Sequence, residues 1–148
     1  MAQRVLAISS FVATGGVGLR PAMSILVAAG IDVIALPSIL LSSHFGHAHT
    51  AGRAIAPADF EAMIAALEDD GALHEVDAVL TGYMPTAAHV TGARRAIETV
   101  RQRNPDALVL VDPIMGDDPG GLYVDEASAA ALAVDLVPIA DVLTPNRF

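Results

Sequence analysis

The chain has 148 residues, 53% of them hydrophobic and 4% aromatic, with a formal net charge of −9. That size and apolar content suit one globular domain with a sizeable core, and the acidic balance argues against nucleic-acid binding, which needs a basic stripe to neutralise phosphates. All eight basic residues are arginine and there is no cysteine. A Walker A loop, a Schiff-base amine, disulfides and thiolate metal sites are therefore excluded.

Arg4–Ile8 (RVLAI) reads as a buried strand, followed by a Ser/Gly/Thr-rich loop from Ser9 to Gly18. Its single leading arginine and apolar run imitate a secretory leader, but Ser9, Ser10, Thr14 and the glycines interrupt the run and no cleavage site follows cleanly. Pro21 suits the first turn of a helix to about Ala29, ended by Gly30, and Asp32–Leu36 is a second strand. Pro37–Gly52 reads as irregular or as a short hairpin. The uncharged stretch Val33–Gly52 has spanning length, but its proline, hydroxyls and histidines argue against a bilayer span. The expected location is cytoplasmic.

Pro57 opens a helix with Phe60, Met63, Ile64 and Leu67 at core spacing, and Asp77–Thr81 is a third strand. Thr86 can cap a helix to about Arg103; Ala107–Val111 is a fourth strand; Asp125 can cap a helix through about Ala133; Asp141–Leu143 is a fifth strand. Strands alternating with helices predict an α/β three-layer sandwich with a mostly parallel central sheet. In such a sheet the C-terminal strand ends share one edge, where ligands bind. That edge is predicted to carry Ser9-Ser10, Gly82-Tyr83, Asp112-Pro113 and Thr144-Pro145-Asn146.

Several segments suggest chemistry. Asp112–Asp117 (DPIMGD) leaves a strand with two carboxylates, which suits a Mg²⁺–phosphate site and also a plain Asp-Pro turn. Thr144-Pro145-Asn146 is, by itself, a proline-fixed turn. Gly15, Gly16 and Gly18 imitate a phosphate loop, but the spacing is wrong; they suit close backbone approach of a substrate, or simply flexibility. His44, His47 and His49 stand at a spacing that can ligate Zn²⁺. Without cysteine support, a ring that bonds or stacks on a heteroaromatic ligand is the better functional reading. Tyr83, just past a strand, can line a pocket or rest on the core rim.

Taken in order, Ile8–Ser10, Gly15–Gly18, Ser42–Gly46, Leu80–Tyr83 (LTGY), Asp112–Asp117 and Asp141–Phe148 (DVLTPNRF) resemble pyridoxal kinase of the ribokinase superfamily, over the whole chain. The resemblance implies the N-terminal portion, residues 1–148, of one ribokinase-like kinase domain, incomplete at its C-terminal end. It implies phosphorylation of the 5′-hydroxymethyl of pyridoxal, pyridoxamine or pyridoxine with MgATP, by a protein that is usually a homodimer. Carried over by position, Ser10 would bond the pyridine ring region, and Val17, Leu41, His44, Phe45 and Tyr83 would shape the pocket. Asp112 and Asp117 would sit by Mg²⁺ and phosphates, with Asp112, Thr144 and Asn146 towards ATP. Ser9 stands where that family often has Gln, Leu41 where Phe is common, and Phe45 where Thr is common. The family's Gly-x-Gly-Asp motif, which supplies the catalytic base and the anion hole, does not occur in these residues. No catalytic base is therefore expected among them, the base is expected beyond Phe148, and residues 1–148 alone are expected to be inactive. Hydroxymethylpyrimidine kinase, or a non-catalytic pyridoxal-binding fragment, are the alternatives.

Overall fold

The computed structural model describes residues 3–118 and 120–147. In chain order the elements are β1 (Arg4–Val12), α1 (Leu19–Ala28), β2 (Asp32–Leu41), β3 (Gly52–Ala54), α2 (Pro57–Asp69), β4 (Ala78–Thr81), α3 (Ala87–Arg103), β5 (Leu108–Val111), β6 (Gly116–Asp117), β7 (Gly121–Leu122), α4 (Glu126–Ala131) and β8 (Val142–Leu143). Six strands form one sheet in the order β3-β2-β1-β4-β5-β8, parallel throughout except for β3. β6 and β7 make a separate antiparallel hairpin. The expected α/β class and mostly parallel sheet are present.

Two strands run further than their apolar runs suggest. β1 continues through Ser9 and Ser10 to Val12, because β2 continues beside it to Leu41. β2 passes Pro37 by a bulge: Ser9 pairs with Pro37 and Ser10 with Ile39, so Ser38 is an extra residue. Proline is tolerated in a sheet at such irregularities. The buried Ser38 hydroxyl donates to the Tyr83 carbonyl at 2.6 Å. Beyond Leu41 the chain returns as β3, which makes the hairpin reading of Pro37–Gly52 the correct one. The first helix begins at Leu19, two residues before Pro21. Asp125 caps α4 as expected, accepting the Ser128 amide at 2.7 Å, but the helix widens into a π turn over Leu132–Leu136.

The main core lies between the sheet and the α2–α3 side. Phe60 and Ile64 of α2, Ile97 and Val100 of α3, and Leu6, Ile8, Val79, Val109 and Val111 of the strands are all fully buried there. Gly92 lies inside α3, where glycine costs about 1 kcal/mol relative to alanine. A Cβ at Gly92 would stand 3.0 Å from the Phe60 ring and 2.7 Å from the Glu61 carboxylate, so its absence lets α2 approach. His89 ties α3 to the chain preceding α2: Nε2 donates to the Ile55 carbonyl at 3.0 Å and Nδ1 pairs with the Thr86 hydroxyl at 2.9 Å. Thr86 occupies the N-cap position, yet its hydroxyl serves His89 rather than a helix amide. Asp141 docks β8 onto β5 by accepting the Val109 amide and the Arg101 guanidinium, at 2.8 and 2.7 Å. Among the described residues no helix is long and apolar enough to cross a membrane.

Candidate active site

The sheet register brings the polar strand ends into one row. Ile8, Thr81, Val111 and Leu143 are consecutive partners across β1, β4, β5 and β8. The next residues, Ser9, Gly82, Asp112 and Thr144, therefore stand side by side. Three backbone bonds continue the ladder: Gly82 N–H to Ile8 at 2.8 Å, Asp112 N–H to Thr81 at 2.9 Å and Thr144 N–H to Val111 at 3.2 Å. The Tyr83 amide then donates to the Ser9 hydroxyl at 3.2 Å. The predicted ligand edge exists, except that Ser9 and Ser10 belong to the strand and not to a loop.

Above this row a cleft of about 120 Å³ is lined by Ser10, Val12, Val17, Gly18, Leu41, His44, Phe45, Tyr83, Ile114 and Tyr123. All six residues expected to contact a substrate are among them. The Phe45 and Tyr83 rings meet at 6.1 Å, and the His44 ring meets Tyr123 edge-on at 6.3 Å. The Gly46 amide donates to His44 Nδ1 at 3.1 Å, so the remaining proton of the neutral ring sits on Nε2 as a donor. Gly18 has φ +70° and lies so close to Ser10 that a Cβ would stand 2.2 Å from its carbonyl oxygen. Its need for glycine thus comes from packing on β1, whereas a Cβ added at Gly15 or Gly16 would meet nothing within 4 Å. Of the three clustered histidines only His44 lines the cleft, and among the described residues no three His, Asp or Glu side chains gather as a metal site.

Beside this cleft, and sharing Gly18 and Ile114 with it, a second hollow of about 290 Å³ opens between α1 and the sheet, with Ser9, Gly82 and Asp112 in its wall. Burial pushes the Asp112 carboxyl up from its ordinary value, opposed in part by a hydrogen bond to the Thr144 side chain. Asn146 donates to the Gly116 carbonyl at 2.8 Å, which latches the TPN segment onto the loop that ends at Asp117. Phe148, the last residue of the DVLTPNRF segment, lies outside the described residues. Carboxylate and hydroxyl oxygens are hard donors of the kind Mg²⁺ takes, usually with waters and substrate phosphates completing the shell. The half-buried Asp112 carboxylate and the exposed Thr144 hydroxyl offer oxygens of that kind side by side, and Asp117 follows in the same loop as Asp112.

Sequence reasoning missed Tyr123, Ile114 and Val12 as cleft residues, whereas Gly18 was expected beside a substrate. A larger hollow of about 530 Å³ lies at the opposite sheet edge, but there Arg4 already pairs with Asp32 and Glu75, and its amide with Asp77. It lies at the wrong ends of the strands for a parallel-sheet ligand site.

No protein-family model matches the chain. Over 146 residues it is 40% identical to the pyridoxine/pyridoxal/pyridoxamine kinase of Bordetella avium, a match covering 97% of this chain and 49% of that protein. The pyridoxal kinase of Leishmania donovani, solved with ADP and pyridoxamine, aligns with a TM-score of 0.91 at 32% identity, over 97% of this chain and 50% of that one. Its relatives are pyridoxal kinases. The chain spans about half the length of the pyridoxal kinases it matches. A Bacteroides thetaiotaomicron protein, provisionally named a phosphomethylpyrimidine kinase and crystallised with pyridoxal, shares the fold with a TM-score of 0.87 at 25% identity, over 99% of this chain and 49% of that one.

Proposed function

We propose that this chain forms the vitamer-binding and metal-facing part of a pyridoxal kinase, which phosphorylates the 5′-hydroxymethyl of pyridoxal, pyridoxamine or pyridoxine from MgATP. The supporting observation is the convergence of Ser10, Val17, Leu41, His44, Phe45 and Tyr83 on one cleft, next to a half-buried carboxylate at Asp112. An aromatic and aliphatic cleft with few polar groups suits a small planar ring. His44 Nε2–H and the Ser10 hydroxyl are its donors, so a ring bearing acceptor atoms is favoured. Asp112, Asp117 and Thr144 would hold Mg²⁺ and face the phosphates, with Asn146 beside them. The ion would offset phosphate charge while phosphate is transferred. The work of these residues is positioning: the cleft fixes the ring, and the carboxylates fix the site towards which its hydroxymethyl points. Homodimeric assembly and a cytoplasmic location accompany this reading on the strength of the resemblance and of a chain without cysteine.

Steady-state kinetics with pyridoxal on the full-length protein test the assignment. Asp112→Asn is expected to lower kcat about 100-fold, equivalent to roughly 2.7 kcal/mol, while weakening pyridoxal binding less. Ser10→Ala is expected to raise KM for pyridoxal with a smaller effect on kcat. Full kcat in the first variant together with an unchanged KM in the second would remove the assignment. The Bacteroides neighbour supports a second reading, hydroxymethylpyrimidine as the acceptor. A higher kcat/KM for hydroxymethylpyrimidine than for pyridoxal would select it, and tight pyridoxal binding without turnover in the full-length protein would select a binding role alone.

A further inference from the structure

Tyr83 forms part of the cleft wall, yet it stands beyond the end of β4. Tyr83 and Met84 are 8% and 0% exposed, and buried main-chain groups need hydrogen-bond partners. Serine hydroxyls supply them. The Tyr83 amide donates to Ser9 Oγ of β1 at 3.2 Å. Ser38 Oγ of β2 donates to the Tyr83 carbonyl at 2.6 Å, and Ser128 Oγ of α4 donates to the Met84 carbonyl at 3.1 Å. All three serines are buried, Ser38 and Ser128 completely. β1 and β2 also carry Ser10, Val12 and Leu41 of the cleft wall. The strands that line the cleft thus also fix where Tyr83 stands in it.

We propose that Ser38 and Ser128 are positioning residues for the ring substrate: by holding the Tyr83–Met84 segment they set the place of the Tyr83 ring relative to Ser10 and Leu41. This rests on the functional reading above. Neither serine lines the cleft or the hollow beside it, so an effect of either on the substrate must pass through the segment they hold. Replacing Ser38 by alanine leaves the Tyr83 carbonyl buried without that donor, and the segment must shift to recover one. The Tyr83 hydroxyl is anchored separately, on the Tyr123 carbonyl at 3.2 Å. A shift of the backbone end alone therefore tilts the ring across the cleft. A serine that only stabilised the fold would lower Tm and leave the affinity for the ring unchanged.

Steady-state kinetics on the full-length protein, at a temperature well below its Tm, test this. Ser38→Ala should raise KM for pyridoxal about five- to tenfold, in line with the loss of one buried hydrogen bond, and leave kcat and KM for MgATP within about twofold. Ser128→Ala, which frees the neighbouring carbonyl, should show the same split with a smaller rise. Both rises should vanish when Tyr83 is already alanine, because a double-mutant cycle isolates an effect carried by that ring. An unchanged pyridoxal KM in either serine variant, or a rise of the same size in the Tyr83→Ala background, would overturn the proposal while the kinase reading stands. Should Ser38→Ala fail to fold, Ser128→Ala decides by the same two measurements. Failure of the natural protein to phosphorylate pyridoxal would overturn both.

Discussion

The two faces of the sheet are built differently. On the α2–α3 side, Phe60, Ile64, Ile97, Val109 and Val111 are inaccessible to solvent, and the buried residues form one contiguous cluster. On the α1 side the cover is thin: Ile25 and Val27 of α1 are 69% and 61% exposed, and Leu108 of β5 is 47% exposed. The hollow that Asp112 lines opens on this second face. Stability and chemistry are thus assigned to opposite sides. Tight packing on one side lets six strands keep a common register, and that register aligns Ser9, Gly82, Asp112 and Thr144. The sparsely covered side leaves those residues accessible, as expected where ligand-binding regions occupy the less strongly held parts of a fold.

Substitutions on the two sides should separate clearly. Phe60→Ala removes a fully buried ring and should cost about 3–5 kcal/mol in urea denaturation; a loss below about 1 kcal/mol would break the contrast. Lowering the pH should act next, through His89. Burial holds the folded-state pKa of His89 below its ordinary value of 6.5, so the unfolded chain takes up the proton more readily. The stability that neutral His89 contributes is present above about pH 6.5 and is lost as the pH falls below it. Tm should decline between about pH 7.5 and 5.5, and His89→Gln should flatten that decline. Thr81 Oγ1 is, among the described residues, the one buried side-chain oxygen or nitrogen with no partner. Thr81→Val should therefore be neutral or stabilise by about 1 kcal/mol, since it removes an unpartnered polar group with little change of shape. On the open face, Ile25→Ser should change the unfolding free energy by no more than about 0.5 kcal/mol, as surface substitutions do. A larger loss would mean that this face is covered in solution.

Much of this arrangement was legible in the sequence. The parallel strands read as short apolar runs because both sides of each are apolar, and α2 and α3 show a clear core stripe. The cleft residues were placed because strand ends in a parallel sheet share an edge, and the resemblance supplied which side chains to expect there. The failures have local causes. Ser9 and Ser10 look like loop because their hydroxyls serve the site and its supports, yet their backbone is strand. Pro37 looks like a strand terminus because a bulge is invisible in composition. The β6–β7 hairpin is too short to carry any periodicity, so Tyr123 had no predicted element to stand on. Its one available signal was being the second of only two tyrosines, just downstream of Asp117.

The bulge at Ser38 also works as a change of parity. Side chains alternate along a strand, so odd and even positions face opposite ways. Leu36 enters the main core, and two residues later Ser38 would be expected on that same face. Because Ser38 is counted on β2 and not on β1, the partners of Ile8, Ser10 and Val12 are Leu36, Ile39 and Leu41: an even position followed by two odd ones. The inserted residue is what turns Ile39 and Leu41 towards Val12 and Tyr83, with which they are buried. Were Ser38 paired in regular register with Ser10 instead, every later side chain of β2 would move on by one position, which in a sheet exchanges its two faces. Leu40, now 43% exposed, would take the inward place and Leu41 would turn out. The cleft therefore depends on where the ladder slips as much as on residue identity, a constraint that no comparison of side-chain chemistry position by position would register.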